Sequence, residues 1–139
     1  MTKKLMQWFL DELSAQSLGF TQVEPYEGQF EDPEDTTVFP PAALVAITNT
    51  SNTAEMGEVE LELFVSVYLV TTHVAGTSQD GVLDKMDAVI ALLHDRGVRY
   101  VGTEGAPSEY FGRCLLVSAN FEGILPGMAA YKVNFKIAK

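Results

Sequence analysis

The side chains best suited to nucleophilic, acid–base or metal chemistry are scarce in this sequence: two histidines, His73 and His94, and one cysteine, Cys114, in 139 residues. A zinc or hydrolytic metal site needs several such ligands at short fixed spacing, as in His-x-x-x-His, and neither histidine stands in one. His94 falls in the last turn of a helical pattern, where a protonated imidazole complements the negative end of the helix dipole. Cys114 alternates onto the less apolar face of a strand pattern, with no helix start beside it to activate the thiol, so packing is its expected role. Asp84 and Asp87 stand one helical turn apart; a cation could bridge them, and a solvated helix face explains them equally well. Gly102, Gly105 and Gly112 share one loop and lack the strand–glycine–helix context of a phosphate site. No catalytic, cofactor or metal site is expected, and the chain does not read as an enzyme.

Carboxylates, by contrast, are abundant and grouped. Nineteen acidic against nine basic residues give a net charge of −10. Glu31, Asp32, Glu34 and Asp35 form one group, and Glu58, Glu60 and Glu62 form another. The second group occupies alternate positions of residues 58–72, whose intervening positions Val59, Leu61, Leu63, Val65, Val67 and Leu69 are all apolar. Alternate side chains of a strand point to opposite faces, so this run is expected to be one β-strand with a core face along its whole length. Glutamates two apart on such a face lie about 7 Å from each other and repel by ~0.6 kcal/mol in water, so exposure costs little. Burial without partners costs several kcal/mol per carboxylate or forces protonation. The triplet must therefore face water, a wet channel or cations. Lys132 and Lys136 alternate on the last strand and offer one internal solution, across a ladder from Glu60 and Glu62; an exposed or channel-facing position is the other. Fifteen residues at about 3.3 Å each extend roughly 50 Å, far beyond the usual strand. Such a strand is expected to project from a small domain towards a partner.

The elements that position these groups can be read from periodicity. Leu5, Trp8, Phe9 and Leu13 repeat at helical spacing over residues 3–18, with Gly19 as the expected left-handed cap. Lys3 and Lys4 oppose the helix dipole, so this helix must owe its stability to packing of Trp8 and Phe9. A short strand is expected within residues 20–26. Residues 27–41 form an acidic, proline-containing stretch that predicts a long solvated loop. Residues 42–48 are apolar on both faces, as in a central strand. A polar connection over 49–57 then leads into the long strand, predicting a hairpin. Val82, Leu83, Met86, Val89, Ile90 and Leu93 make the clearest helical stripe, opposed by Asp84, Lys85, Asp87 and Asp95 and closed by Gly97. Residues 98–101 suggest a short strand and 102–112 a loop. Residues 113–122 alternate, with Leu115, Val117, Ala119 and Phe121 on one side. Residues 131–137 close the chain with Tyr131, Val133, Phe135 and Ile137 on one face and Lys132, Asn134 and Lys136 on the other.

Length and composition set outer bounds. The chain has the size of one domain, with no visible linker, repeat or low-complexity tract. Its longest apolar runs are strand-length and interrupted, so no membrane span is expected. The N-terminal apolar stretch is broken by Gln7, Asp11 and Glu12 and reads as an amphipathic helix rather than a leader. A lone cysteine fits a reducing compartment. A charge of −10 argues against specific nucleic-acid binding, which relies on neutralising phosphates, and against docking on anionic lipid.

The succession of elements resembles the tail terminator and tail completion proteins of tailed bacteriophages, in particular the small minor tail proteins of Mu-like phages. The matching features are the N-terminal helix, the acidic loop closing on FPPAALVAI at 39–47, the strand ending in FVSVYLVT at 64–71, the helix DKMDAVIALL at 84–93 and the closing strand YKVNFKI at 131–137. They span nearly the whole chain and are patterns rather than sharp motifs. The resemblance implies a single α+β domain over residues 1–139: an antiparallel or mixed sheet with long hairpins and two main helices packed on one face. It further implies a hexameric ring that caps the tail tube and joins it to the head. The tube protein and a head-completion protein would be partners, the virion tail the final location, and the host cytoplasm the place of assembly. DNA would pass through such a ring without being held. Six copies at −10 each give −60, a wall that repels phosphate. Glu58, Glu60, Glu62, Glu31, Asp32, Glu34 and Asp35 would then face the lumen or the neighbouring subunit. A different class, a small-molecule-binding or chaperone-like module, would instead use an apolar cavity between sheet and helices, lined by Phe64, Tyr68 and Phe121.

Overall fold

The computed structural model describes residues 2–15, 18–27, 38, 40–52, 61–72, 80–100, 109–125 and 128–138. They form α1 (Thr2–Leu13), β1 (Gln22–Pro25), β2 (Ala42–Asn52), β3 (Leu61–Thr72), α2 (Asp80–Leu93), β4 (Arg96–Tyr100), β5 (Glu109–Leu125) and β6 (Met128–Ala138). The six strands make one sheet in the order β1-β2-β3-β6-β5-β4. All neighbours are antiparallel except β1 and β2, which run parallel and make the sheet mixed. This is the expected α+β architecture.

Both helices lie on one face, and the residues that repeat at helical spacing are the ones that hold them there. In α1, Leu5, Phe9 and Leu13 are fully buried. Phe9 meets Phe135 of β6 with ring centroids 6.3 Å apart. Trp8 is only half-buried; it sets its edge against Phe9 at 5.0 Å and lies under the Arg96 guanidinium at 5.8 Å. The helix has no acidic residue in its first turn and no basic one in its last, so packing is what stabilises it. Each fully buried Leu or Phe contributes about 1.5–3 kcal/mol. In α2, Val89 and Leu93 are fully buried against the same core. Helix α1 touches β1 and β2 at one edge of the sheet and β4 at the other. Strands β2 and β4 are four steps apart in the strand order, about 19 Å in a flat sheet. A helix about 10 Å across reaches both only because the sheet curls into a half-barrel around it.

The long strand forms but is used differently from the expectation. It is unbroken over Leu61–Thr72, with β2 on one side and β6 on the other. Over these residues it is thus a central strand; residues 58–60 of the expected run lie outside the described residues. Leu63, Val65, Val67 and Leu69 face the helices and are buried, as the alternation predicted. The opposite face is not simply wet, because Ser66 and Val70 are buried there too. Loop-side residue Val38 covers Ala42, Leu44, Val70 and Ala130 in a second, smaller core. The ladder also corrects the expected glutamate–lysine pairing. Lys136 stands opposite Phe64 and Lys132 opposite Tyr68, so neither lysine is directly across from Glu60 or Glu62.

The longest strand is β5, Glu109–Leu125, where a loop was expected up to Gly112. Its first residues are recruited by β4: Tyr100 pairs with Glu109 and Arg99 with Tyr110. A bulge at Val117, where the register with β6 shifts between Leu116 and Ser118, splits the predicted apolar side. Leu115 falls on the helix-free face, whereas Ala119 and Phe121 fall on the helix face. Two caps also differ. α1 ends at Leu13, where Ser14 turns back to the Leu10 carbonyl through both its N–H (3.1 Å) and its Oγ (2.6 Å); Gly19, left-handed with φ 69°, follows the turn at Leu18 rather than the end of α1. After α2 the left-handed residue is Asp95, φ 62°, a type that tolerates that conformation. Gly97 lies instead within β4 beneath the Tyr110 ring.

Candidate functional site

The helix face of the sheet is closed by packing except towards the end of β5, where Ala119 and Phe121 are exposed, so the described surfaces left for function are the opposite face and the two sheet edges. On the helix-free face, registry builds rows across β2, β3, β6 and β5. One row is Ala46, Ser66, Asn134 and Ser118; the next is Leu44, Tyr68, Lys132 and Asn120. In the first row the Ser66 hydroxyl donates to Asn134 Oδ1 at 2.6 Å, and Asn134 Nδ2 donates to Ser118 Oγ at 3.0 Å. This relay satisfies a buried serine and locks three strands in register. In the second row the Lys132 ammonium sits 5.6 Å over the Tyr68 ring, and Tyr26 stacks on Tyr68 at 4.4 Å. An open pocket of about 310 Å³ lies beside the relay, lined by Thr48, Phe64, Val65, Val117, Ser118 and Asn134.

The two edges differ in charge. All three arginines of the sequence, Arg96, Arg99 and Arg113, lie on β4 or on the segment of β5 beside it. Arg113 Nε and Asp95 Oδ1 pair at 2.9 Å; this exposed contact lowers the Asp95 pKa and raises that of Arg113, through the hydrogen bond first and charge second. Arg96 pairs with Glu12 of α1, and Arg99 lies 5.8 Å over Tyr110. The opposite edge, β1 and the two residues after it, carries Glu24 and Glu27, both exposed.

Each residue singled out from the sequence can now be placed. Glu31, Asp32, Glu34, Asp35, Glu58 and Glu60, with His73, lie outside the described residues. Glu62 is in β3, paired with Ser51 of β2. Cys114 points into the core beside Arg96's strand, not onto the less apolar face; burial pushes its thiol up to about 12, which leaves it protonated and inert at neutral pH. His94 accepts the Leu116 N–H at Nδ1, 3.0 Å. That bond ties the end of α2 to β5. Lys85, expected in solvent, reaches back to the Leu18 carbonyl and lies 5.3 Å over Phe20. Phe64 and Tyr68 share the helix-free face but Phe121 packs on Tyr131 of the other face, centroids 5.3 Å apart, so the three do not line one cavity. Among the described residues, no three His, Cys, Asp or Glu are placed to hold a metal, and no helix is long and apolar enough to cross a membrane.

The serine–asparagine relay was missed from the sequence. Its signal was present: Ser66 and Asn134 are isolated polar residues in otherwise apolar strands, but only registry shows that they meet.

No protein-family profile and no curated protein matches this sequence. Among solved structures, one chain of a structure described as the virion of a native gene transfer agent particle superposes with a TM-score of 0.60. The match covers 96% of this chain and 89% of that one at 12% identity. At that identity the likeness establishes a shared fold.

Proposed function

We propose that this chain is a structural component of a phage or phage-like virion, and within it a tail protein whose hexameric ring ends the tail tube and joins it to the head. The observation that carries the proposal is the likeness, along nearly the full length of both chains, to a chain of a gene transfer agent virion. The surface agrees with an assembly role: among the described residues, the large exposed apolar side chains Tyr110, Val117 and Phe121 all belong to β5. A monomer gains nothing from showing them together on one strand. On this reading the partners are further copies of the chain, the tube protein and a head-completion protein. The acidic group Glu31, Asp32, Glu34 and Asp35, with Glu58, Glu60 and Glu62, faces the lumen or a neighbour. The chain performs no catalysis.

Deleting the coding sequence from the phage or prophage and imaging the lysate by electron microscopy tests the proposal. The expected result is filled heads separated from tails of irregular length. Joined particles at undiminished titre would contradict it. Within that experiment, replacing Glu58, Glu60 and Glu62 together by Gln asks whether the triplet takes part; unchanged titre removes it from the mechanism.

A further inference from the structure

The sheet has two stepped edges, and the steps are complementary. At one edge, β1 covers only Ala42–Val45 of β2, through the pairs Gln22↔Ala42 to Pro25↔Val45. Among the described residues, the rest of β2 has no strand on that side. At the other edge, β4 pairs only with residues 109–114 of β5, and residues 115–125 likewise have no strand on the side away from β6. Following registry across the sheet gives the relative heights. Ala42 stands level with Val70, Ala130 and Gly123, and Val45 with Val67, Val133 and Ala119. β1 therefore lies at the height of the uncovered part of β5, and β4 lies at the height of the far, uncovered end of β2. β1 and β4 also run in the same direction, because four antiparallel steps separate β2 from β4 and β1 is parallel to β2.

From this geometry we infer that copies of the chain associate head to tail, β1 of one copy adding to the uncovered half of β5 in the next. The inference deepens the ring proposed above and rests on it. In the shared lane the incoming β1 lies antiparallel to β5, with Glu24 level with Asn120, and ends before β4 begins; residues 115–118 separate them. The two half-strands fill one lane without overlapping. The charges agree as well. The chain leaving β1 carries Glu24 and Glu27 and no base, and it heads along the lane towards β4, which carries Arg96 and Arg99 and no acid. The same addition lies beside Phe121, 46% exposed in the single chain. Because the contact joins two different edges, it repeats from copy to copy and closes only as a ring. An edge strand with apolar side chains and unpaired backbone groups is the kind of surface that recruits a further strand.

Disulfide trapping tests this on the full chain. Directly opposed residues of antiparallel strands stand about 4.5–5.5 Å apart at Cα, within reach of a disulfide, and the buried Cys114 does not compete. A chain carrying both Glu24→Cys and Asn120→Cys, oxidised at a concentration where the parent assembles, is expected to give a ladder of linked species ending at the ring. A mixture of the two single variants should stop at a linked pair. Ser118→Cys and Glu122→Cys in place of Asn120→Cys read the neighbouring registers. If light scattering shows the parent assembling while none of these pairs cross-links, the edge inference is overturned and the ring stands. If the parent stays monomeric at every concentration, both fall.

Discussion

Strands β3 and β5 are both long and apolar, yet the sheet uses them in opposite ways. β3 has a strand on each side and cover on both faces, so Leu63, Val65, Val67 and Leu69 are closed off from solvent. β5 is longer still but is shared unequally. Its first six residues pair with β4, Arg113 and Cys114 with β6 as well, and there Phe111 and Cys114 are buried; beyond them Val117 and Phe121 are exposed. Length and hydrophobicity thus do not decide whether a strand is available to a partner. Position in the sheet does, because only a strand lacking a neighbour offers backbone donors and acceptors along with its side chains.

This contrast can be broken most sharply by truncation. Leu69→Ala in β3 should cost about 2–5 kcal/mol and Phe135→Ala, against Phe9, about 3–5 kcal/mol, read as a fall in denaturation midpoint. Phe121→Ala in the uncovered half of β5 should change monomer stability by no more than about 1 kcal/mol. Equal losses at Leu69 and Phe121 would show that β5 is as much core as β3.

The polar relay gives the next largest effect. Asn134→Ala leaves the Ser66 hydroxyl buried without its acceptor, at a cost of about 1–3 kcal/mol. Ser118→Ala, at the solvent end of the same relay, should cost less. A reversal would mean that the relay is anchored from β5.

Cys114 separates the covered from the uncovered half of β5 through its pH response. Its folded pKa, about 12, lies above the value near 8.5 of a free thiol. Its contribution to stability is therefore full below the unfolded pKa and is lost as pH rises from there towards the folded value. In the native protein at pH 8, iodoacetamide should leave Cys114 unmodified and label it only after unfolding. Rapid native labelling would place that half of β5 in solvent too. The smallest effect belongs to the Arg113–Asp95 pair, both exposed. Asp95→Asn should barely move the melting temperature, since exposed ion pairs contribute little.

Much of this fold can be read in the chain because burial writes itself as periodicity. Leu5, Phe9 and Leu13 announce α1, and the alternation from Leu63 to Leu69 announces β3. What stays hidden depends on pairs distant in sequence. Nothing local to β3 says that β2 and β6 flank it. The bulge at Val117 changes which face Ala119 and Phe121 occupy, and a single added residue leaves no compositional trace. Asp95 rather than Gly97 takes the left-handed turn because the chain must deliver Arg96 opposite Cys114, a demand set across the sheet. Carboxylates are the most visible feature of the composition, whereas the exposed apolar edge of β5 depends on how short β4 is.

Hydrogen–deuterium exchange, followed from dilute to concentrated protein, tests the central claim most directly. Amides of β3 should be protected throughout. Amides of residues 119–123 that point away from β6 should exchange readily in the dilute chain and become protected on assembly, together with those of β1 that point away from β2. Assembly that leaves residues 119–123 exchanging as in the monomer would contradict an edge-to-edge ring.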